Sequence, residues 1–291
     1  GHGAISAGKD DDAARAGIEE SIETARTFDG AADGRISTAV MPHSLTTVTP
    51  DLLSFAAEEA AEAGVPVHYH ANETAAEVDP IVEERGRRPL EWARDLGLCR
   101  EADFLAHGVH LDGDEIDLLA ETGTGVVHCP ASNMKLASGM APVQRLLDAG
   151  VAVGLGTDGA ASNNDLDLFD ELRDAAMLGK LAAGDASAVD AGTAVRLATE
   201  HGADALGFDA GRVEAGRAAD LAVVDLDSPH LTPEHDPVSH LAYAVRGSDV
   251  RHTVCDGRVL MCDREVLTLD ADAVVSEARE RARALVERAG S

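Results

Sequence analysis

The sequence predicts an α/β fold in which short strands alternate with helices, with a (β/α)8 barrel of the TIM type favoured over a doubly wound open sheet. Three observations lead there. Five short apolar segments, residues 35–41, 65–69, 104–106, 125–127 and 151–157, each run into a polar group: His43 (after Pro42), His70, His107, His128 and Asp158. They read as buried parallel strands. Stretches with helical spacing of apolar residues lie between them, at 51–63, 89–98, 114–121, 142–149 and 166–181. Strand then helix, repeated, is a β/α pattern, and barrels carry their functional groups at the C-terminal strand ends. Finally, no strand is followed by the glycine-rich phosphate turn that usually marks a doubly wound sheet.

Upstream, a polar start (Lys9-Asp10-Asp11-Asp12) leads into a helix over 13–28, and a further helical stretch covers 190–207. From Gly211 the period changes to two. Residues 219–225 and 250–259 are strand-like, the second with a hairpin-type Asp256-Gly257 turn. A charged amphipathic helix over 271–289 is expected to pack across the outside. The chain starts at Gly1 without a Met, inside what reads as a loop, so a fragment is expected.

Composition narrows the function classes. The chain has 291 residues, 45% of them hydrophobic, enough for a sizeable core. Acidic residues number 53 against 24 basic ones, for a net charge of −29. Such a surface repels nucleic acid and anionic membranes, and neither is expected as a partner. With aromatics at only 3% and the acids spread along the chain, the composition reads as adaptation to a high-salt cytoplasm. There the Debye length falls to roughly 3 Å at about 1 M salt and screens the self-repulsion. Cys99, Cys129, Cys255 and Cys262 show no paired metal spacing and read as reduced thiols. A cytoplasmic location is expected, and a homo-oligomer is compatible with the sequence.

The polar strand ends suggest chemistry. A neutral imidazole such as His70 is a good ligand for zinc or iron, and Glu73, just beyond it, can move a proton to and from an activated water. His107 could hold that water, and Asp158 could serve as ligand and base together. Singly, each has a bland reading: His68 as a packing histidine on the face of His70, His110 and His128 as structural, Asp158-Gly159 as a helix cap. Their order along five successive strands lifts the set.

The runs Val67-His68-Tyr69-His70-Ala71-Asn72-Glu73, Leu105-Ala106-His107-Gly108-Val109-His110-Leu111, His128-Cys129-Pro130-Ala131-Ser132-Asn133-Met134-Lys135-Leu136 and Thr157-Asp158-Gly159-Ala160-Ala161-Ser162-Asn163-Asn164 resemble the amidohydrolase superfamily. Within it they are most similar to the 5-methylthioadenosine/S-adenosylhomocysteine deaminases of the chlorohydrolase-like branch, over about residues 10–270. The resemblance implies that His70 and Asp158 ligate one divalent metal ion, zinc with iron or manganese as alternatives. It makes Glu73 the proton shuttle and His107 the group that positions the water, while His43 and Arg15 contact the nucleoside. Ser132 and Asn133 are read as loop-shaping residues. The family's first strand supplies two more ligands as a His-x-His pair, which is not found here; His68-x-His70 imitates it but stands on the fifth strand. The resemblance therefore implies a barrel without its first three strands over 1–208, a β-sandwich segment over 209–270 and the terminal helix over 271–291. The implied reaction is hydrolytic deamination of an adenine nucleoside to the inosine analogue with loss of ammonia. Guanine, cytosine or triazine aminohydrolase, chlorohydrolase, and a catalytically inert fragment are the alternatives.

Overall fold

A computed structural model describes residues 11–290; most of the polar start, residues 1–10, lies outside them. The first half is a β/α succession. Helices α1 (Asp11–Phe28), α2 (Ala31–Gly34, a single turn) and α3 (Pro50–Ala63) precede strand β1 (His68–Ala71). After β1 come α4 (Ala75–Arg85) and α5 (Pro89–Asp95), then β2 (Phe104–His107), α6 (Gly113–Thr122) and β3 (Gly125–His128). Helices α7 (Pro130–Lys135) and α8 (Val143–Asp148) lead to β4 (Val153–Leu155), which is followed by α9 (Ala160–Asn163), α10 (Leu168–Ala183), α11 (Ala191–Leu197) and α12 (Glu200–Ala205).

β1 to β4 form one parallel sheet in sequential order. Register explains its stability. Tyr69 pairs with Leu105, Leu105 with Val126 and Val126 with Val153, and all four are 0% exposed, so this row faces the helices as a continuous apolar layer. The next row, His70, Ala106, Val127 and Gly154, points the other way. Helix α12 closes on that face at the lower end of β3 and β4. A Cβ at Gly125 would stand 2.8 Å from the Ala205 carbonyl oxygen, and one at Gly154 would stand 3.0 Å from the Gly202 Cα. Only glycine permits so close an approach.

The segment 35–41, expected as a strand, is not one. It makes a single parallel bridge, Val40 to Val67, with a second from Ser44 to His70. Its backbone is engaged elsewhere: the Ile36 amide donates to the Ala31 carbonyl, the Ile36 carbonyl accepts from Gly30, and the Thr38 amide donates to Asp29 Oδ1. Those bonds fold 36–38 back onto the turn after α1 and leave little for a ladder.

The second half is a four-stranded antiparallel sheet, β5 (Leu221–Val224), β6 (Val250–Cys255), β7 (Arg258–Cys262) and β8 (Glu265–Val266), with helix α13 (Pro237–Tyr243) between β5 and β6. The β6–β7 turn has positive φ at both Asp256 (47°) and Gly257 (73°), which matches the right-handed strand twist. Helix α14 (Ala271–Ala289) closes the chain. It does not pack across the outside as expected, since every one of its residues is exposed. Its apolar stripe has alanines at its centre, Ala278 and Ala282, flanked by Arg279, Arg281 and Arg283, so burial would gain little area and desolvate cations. Among the described residues no helix is long and apolar enough to cross a membrane.

Candidate active site

Three backbone kinks aim the strand-end groups. Asn72 after β1, His107 at the end of β2 and Asp158 after β4 have φ of 55°, 77° and 58°, in the left-handed region that non-glycine residues rarely occupy. Strict alternation would put His107 on the same face as Leu105. The left-handed turn breaks that alternation, and the imidazole stacks instead on His70, with ring centroids 5.4 Å apart. Strain of this kind is held only where surrounding bonds over-determine it.

His43, His70, His107 and Glu73 form a continuous group. The His43 and His70 rings lie 4.9 Å apart, and the His43 carbonyl accepts from both the His70 amide (2.8 Å) and His70 Nδ1 (2.6 Å). That second bond places the proton on Nδ1 and leaves Nε2 with its lone pair, the form in which imidazole binds a metal. His107 is 1% exposed; its Nδ1 donates to Asn133 Oδ1 at 2.9 Å, which turns Nε2 toward Glu73 Oε2, 3.7 Å away. Glu73 Oε1 accepts from the Ser138 hydroxyl at 3.2 Å. The His43 Nδ1 bonds the Thr47 hydroxyl at 2.7 Å, and burial first, then the neighbouring His70, holds its pKa below the usual value.

Asp158 joins from β4. Its Oδ2 accepts from the Ser132 hydroxyl at 2.7 Å and the Ser162 hydroxyl at 2.6 Å. Burial pushes its carboxyl up, but these hydroxyls and the Gly159 amide outweigh it, so the group sits below the ordinary aspartate range and stays anionic at neutral pH. His107 and His43 are both within electrostatic reach of it.

Three other histidines flank the group, His68 with its ring 5.9 Å from that of His70. His68 stacks on Phe104 at 4.5 Å, with burial lowering its pKa to about 4. His128 is buried, neither ring nitrogen has a hydrogen-bond partner among the described residues, and burial lowers its pKa to about 3. His110 bonds the Ser138 carbonyl at 2.8 Å. Arg15 is not brought to the group by any described contact: its guanidinium lies 4.6 Å over the Phe55 ring on α3.

Residues read from the sequence as loop-shaping hold the site together instead. Asn133 fixes the His107 tautomer and Ser132 fixes Asp158, both from the single turn of α7. Their signal was adjacency, two hydrogen-bonding side chains just beyond a strand end.

Imidazole and carboxylate are donors suited in kind to a divalent cation, and the His70 Nδ1 bond to the His43 carbonyl leaves Nε2 as the metal-facing nitrogen. Among the described residues no group of three or more such side chains is near enough to hold one.

A model of the amidohydrolase family matches residues 3–260. The chain belongs to that family. A 5-methylthioadenosine/S-adenosylhomocysteine deaminase of Haloarcula marismortui is 67% identical over 290 residues, covering 100% of this chain and 67% of that protein. Among solved structures, an adenosine deaminase from Xanthomonas campestris with bound zinc superposes with a TM-score of 0.87 at 41% identity, over 94% of this chain and 62% of the other. A zinc complex of atrazine chlorohydrolase from Arthrobacter aurescens gives 0.83 at 28% identity, over 93% and 60%. The amidohydrolase chain thus spans about two thirds of the length of these relatives.

Proposed function

We propose that this chain carries the proton-transfer side of a metal-dependent deaminase that hydrolyses adenine nucleosides of the 5-methylthioadenosine and S-adenosylhomocysteine type, giving the inosine analogue and ammonia. The observation that carries it is the pair Glu73 and His107, 3.7 Å apart on adjacent strand ends, with His107 locked in one tautomer by Asn133. The 67% identity to the Haloarcula deaminase supports the substrate class.

His70 and Asp158 would hold one divalent cation, zinc by likeness to the Xanthomonas structure, with iron or manganese suited to the same donors. Such an ion, when bound, supplies a Lewis acid that makes water a better nucleophile. The chain's own groups do the rest. Asp158, anionic through its two serine donors, takes the proton of the attacking water. Glu73 delivers a proton to the ring nitrogen next to the carbon under attack, which makes the ring a better electron sink. His107, its Nδ1 held, orients the water through Nε2; as the tetrahedral carbon collapses, the proton taken by Asp158 passes to the amine, which leaves as ammonia, and the new hydroxyl returns a proton to Glu73 as it becomes the carbonyl. His43, beside His70, lies where the nucleoside would rest; Arg15 joins it only if the Phe55 contact opens.

The parallel sheet would be strands five to eight of a (β/α)8 barrel, with the bridging segment around Val40–Ser44 as a rudimentary fourth, all within 1–208. Residues 209–270 would be part of a β-sandwich, followed by the helical end, 271–291. The further metal donors would come from the third of the relatives' length that the chain does not span. Free cysteines and the acidic surface fit a cytoplasmic protein.

The test is ammonia release by the natural protein from 5-methylthioadenosine, S-adenosylhomocysteine and adenosine, beside guanine and a triazine. Turnover confined to the adenine nucleosides is expected. Silence with all three, or preference for guanine or the triazine, would remove the proposal.

A further inference from the structure

Glu171 lies on α10, is 0% exposed and takes no part in the group described above. Its two carboxylate oxygens reach different elements. Oε2 accepts from the Ala131 amide at 3.1 Å, in the first turn of α7, whose own N-cap, Cys129, makes no side-chain capping bond. Oε1 accepts from the Asn163 side-chain amide on α9. These are the two turns that supply the hydroxyls bonded to the Asp158 carboxylate, Ser132 from α7 and Ser162 from α9, and α7 also presents Asn133 to His107. Lys135 ties the same turns from the solvent side, donating to the Ala161 carbonyl at 2.9 Å and to Asn164 Oδ1. Burial pushes the Glu171 carboxyl up to about 7, with the Ala131 and Asn163 donors opposing the rise.

We infer that Glu171 is a positioning residue of the deaminase site: by clamping α7 to α9 it sets the orientation of Asp158 and of the His107 imidazole at once. Both short turns are too small to hold themselves. α7 has six residues and α9 four, below the length at which a helix stands alone. A buried carboxylate bonded to both fixes their spacing, and the three side chains they carry inherit it. The inference rests on the deaminase reading for its kinetic consequence but not for its structural one.

The test uses the natural protein and two readouts. One is kcat and KM for ammonia release; the other is NMR of the His107 ring nitrogens and the Asp158 carboxyl carbon after selective labelling. Glu171→Gln keeps the shape but sets an amide against one of its two donors. Shifted resonances for both residues are expected, with kcat lower by about 10–100-fold as for other groups that orient a metal or catalytic side chain and KM within about threefold. Combining Glu171→Gln with Asn163→Asp lets the introduced amide donate to the introduced carboxylate, and should restore both the resonances and kcat. Unchanged His107 and Asp158 resonances in Glu171→Gln would overturn the inference, as would a loss that Asn163→Asp does not repair. If Glu171→Gln does not fold, Asn163→Ala cuts the α9 arm, together with the Leu166 amide's bond to Asn163 Oδ1, and leaves the α7 arm, so the Asp158 resonance should move while that of His107 stays; a still Asp158 overturns it again. If the unaltered protein releases no ammonia from adenine nucleosides, the deaminase reading falls and the resonances alone decide the clamp.

Discussion

The two sheets of this molecule meet solvent in opposite ways. In the parallel sheet the row Tyr69, Leu105, Val126 and Val153 is wholly buried, and the site residues stand at its rim on a rigid base. In the antiparallel sheet Leu221, Val223, Val259 and Val266 are 36 to 46% exposed, and α14 leaves Leu285 and Val286 at 60 and 71%. Geometry sufficient for chemistry needs side chains locked by packing. Only the first sheet has it, so the functional groups belong there, and the second contributes little to the stability of the chain as it stands.

Sharp contrasts between the two regions should follow. The largest effect is at the rim: Glu73→Gln should lower kcat by about 10²–10⁴-fold, the usual worth of a positioned acid or base, with the unfolding midpoint little changed. In the sheet beneath, Leu105→Ala should cost about 2–5 kcal/mol in denaturant unfolding, whereas Val223→Ala on the exposed sheet should cost less than about 0.5 kcal/mol. Equal losses would erase the contrast between the two sheets.

Acid should find the parallel sheet first. His128 and His68 are held neutral by burial, to about 3 and about 4, while their unfolded value is 6.5. Groups lowered in this way bind protons in the unfolded chain before the folded one. Stability should therefore be full above pH 6.5 and fall below it, by up to about 1.4 kcal/mol per pH unit for each group. His128→Leu should flatten that slope in unfolding curves recorded between pH 7 and 4; an unaltered slope would mean His128 is not the cause. Asp158 acts in the other sense. Its folded value lies below 3.8, so its contribution is present above that pH and is lost only as pH falls through the lower folded value. Ser162→Ala should raise the Asp158 midpoint in an NMR titration.

Legibility in the sequence followed the same division. The order of segments ending in His70, His107, His128 and Asp158 was visible because buried strands leave uninterrupted apolar runs. Segment 35–41 has the same run but gives its backbone bonds to the turn before it, which no periodicity reports. Helix α4 went unseen because Pro80 stands inside it. The convergence on Asp158 was expected, but the means was not: Ser132, Asn133 and Glu171 act across gaps of 26 to 40 residues, and contacts of that range leave no local pattern.

Salt should have the smallest effect on the buried sheet and a visible one on the whole. With a net charge of −29, secondary structure should persist above about 1 M potassium chloride, where screening is nearly complete, and decay on dilution. Circular dichroism that is constant over that range would detach the acidic composition from salt dependence.

In the proposed deaminase, Glu73 faces the adenine ring across from His107. A crystal structure of the natural protein with zinc and a slowly hydrolysed adenosine analogue tests that placement directly. A ring nitrogen within about 2.6–3.2 Å of a Glu73 carboxylate oxygen is the expected result. An analogue seated with its ring turned away from Glu73, or bound against the antiparallel sheet, would contradict it.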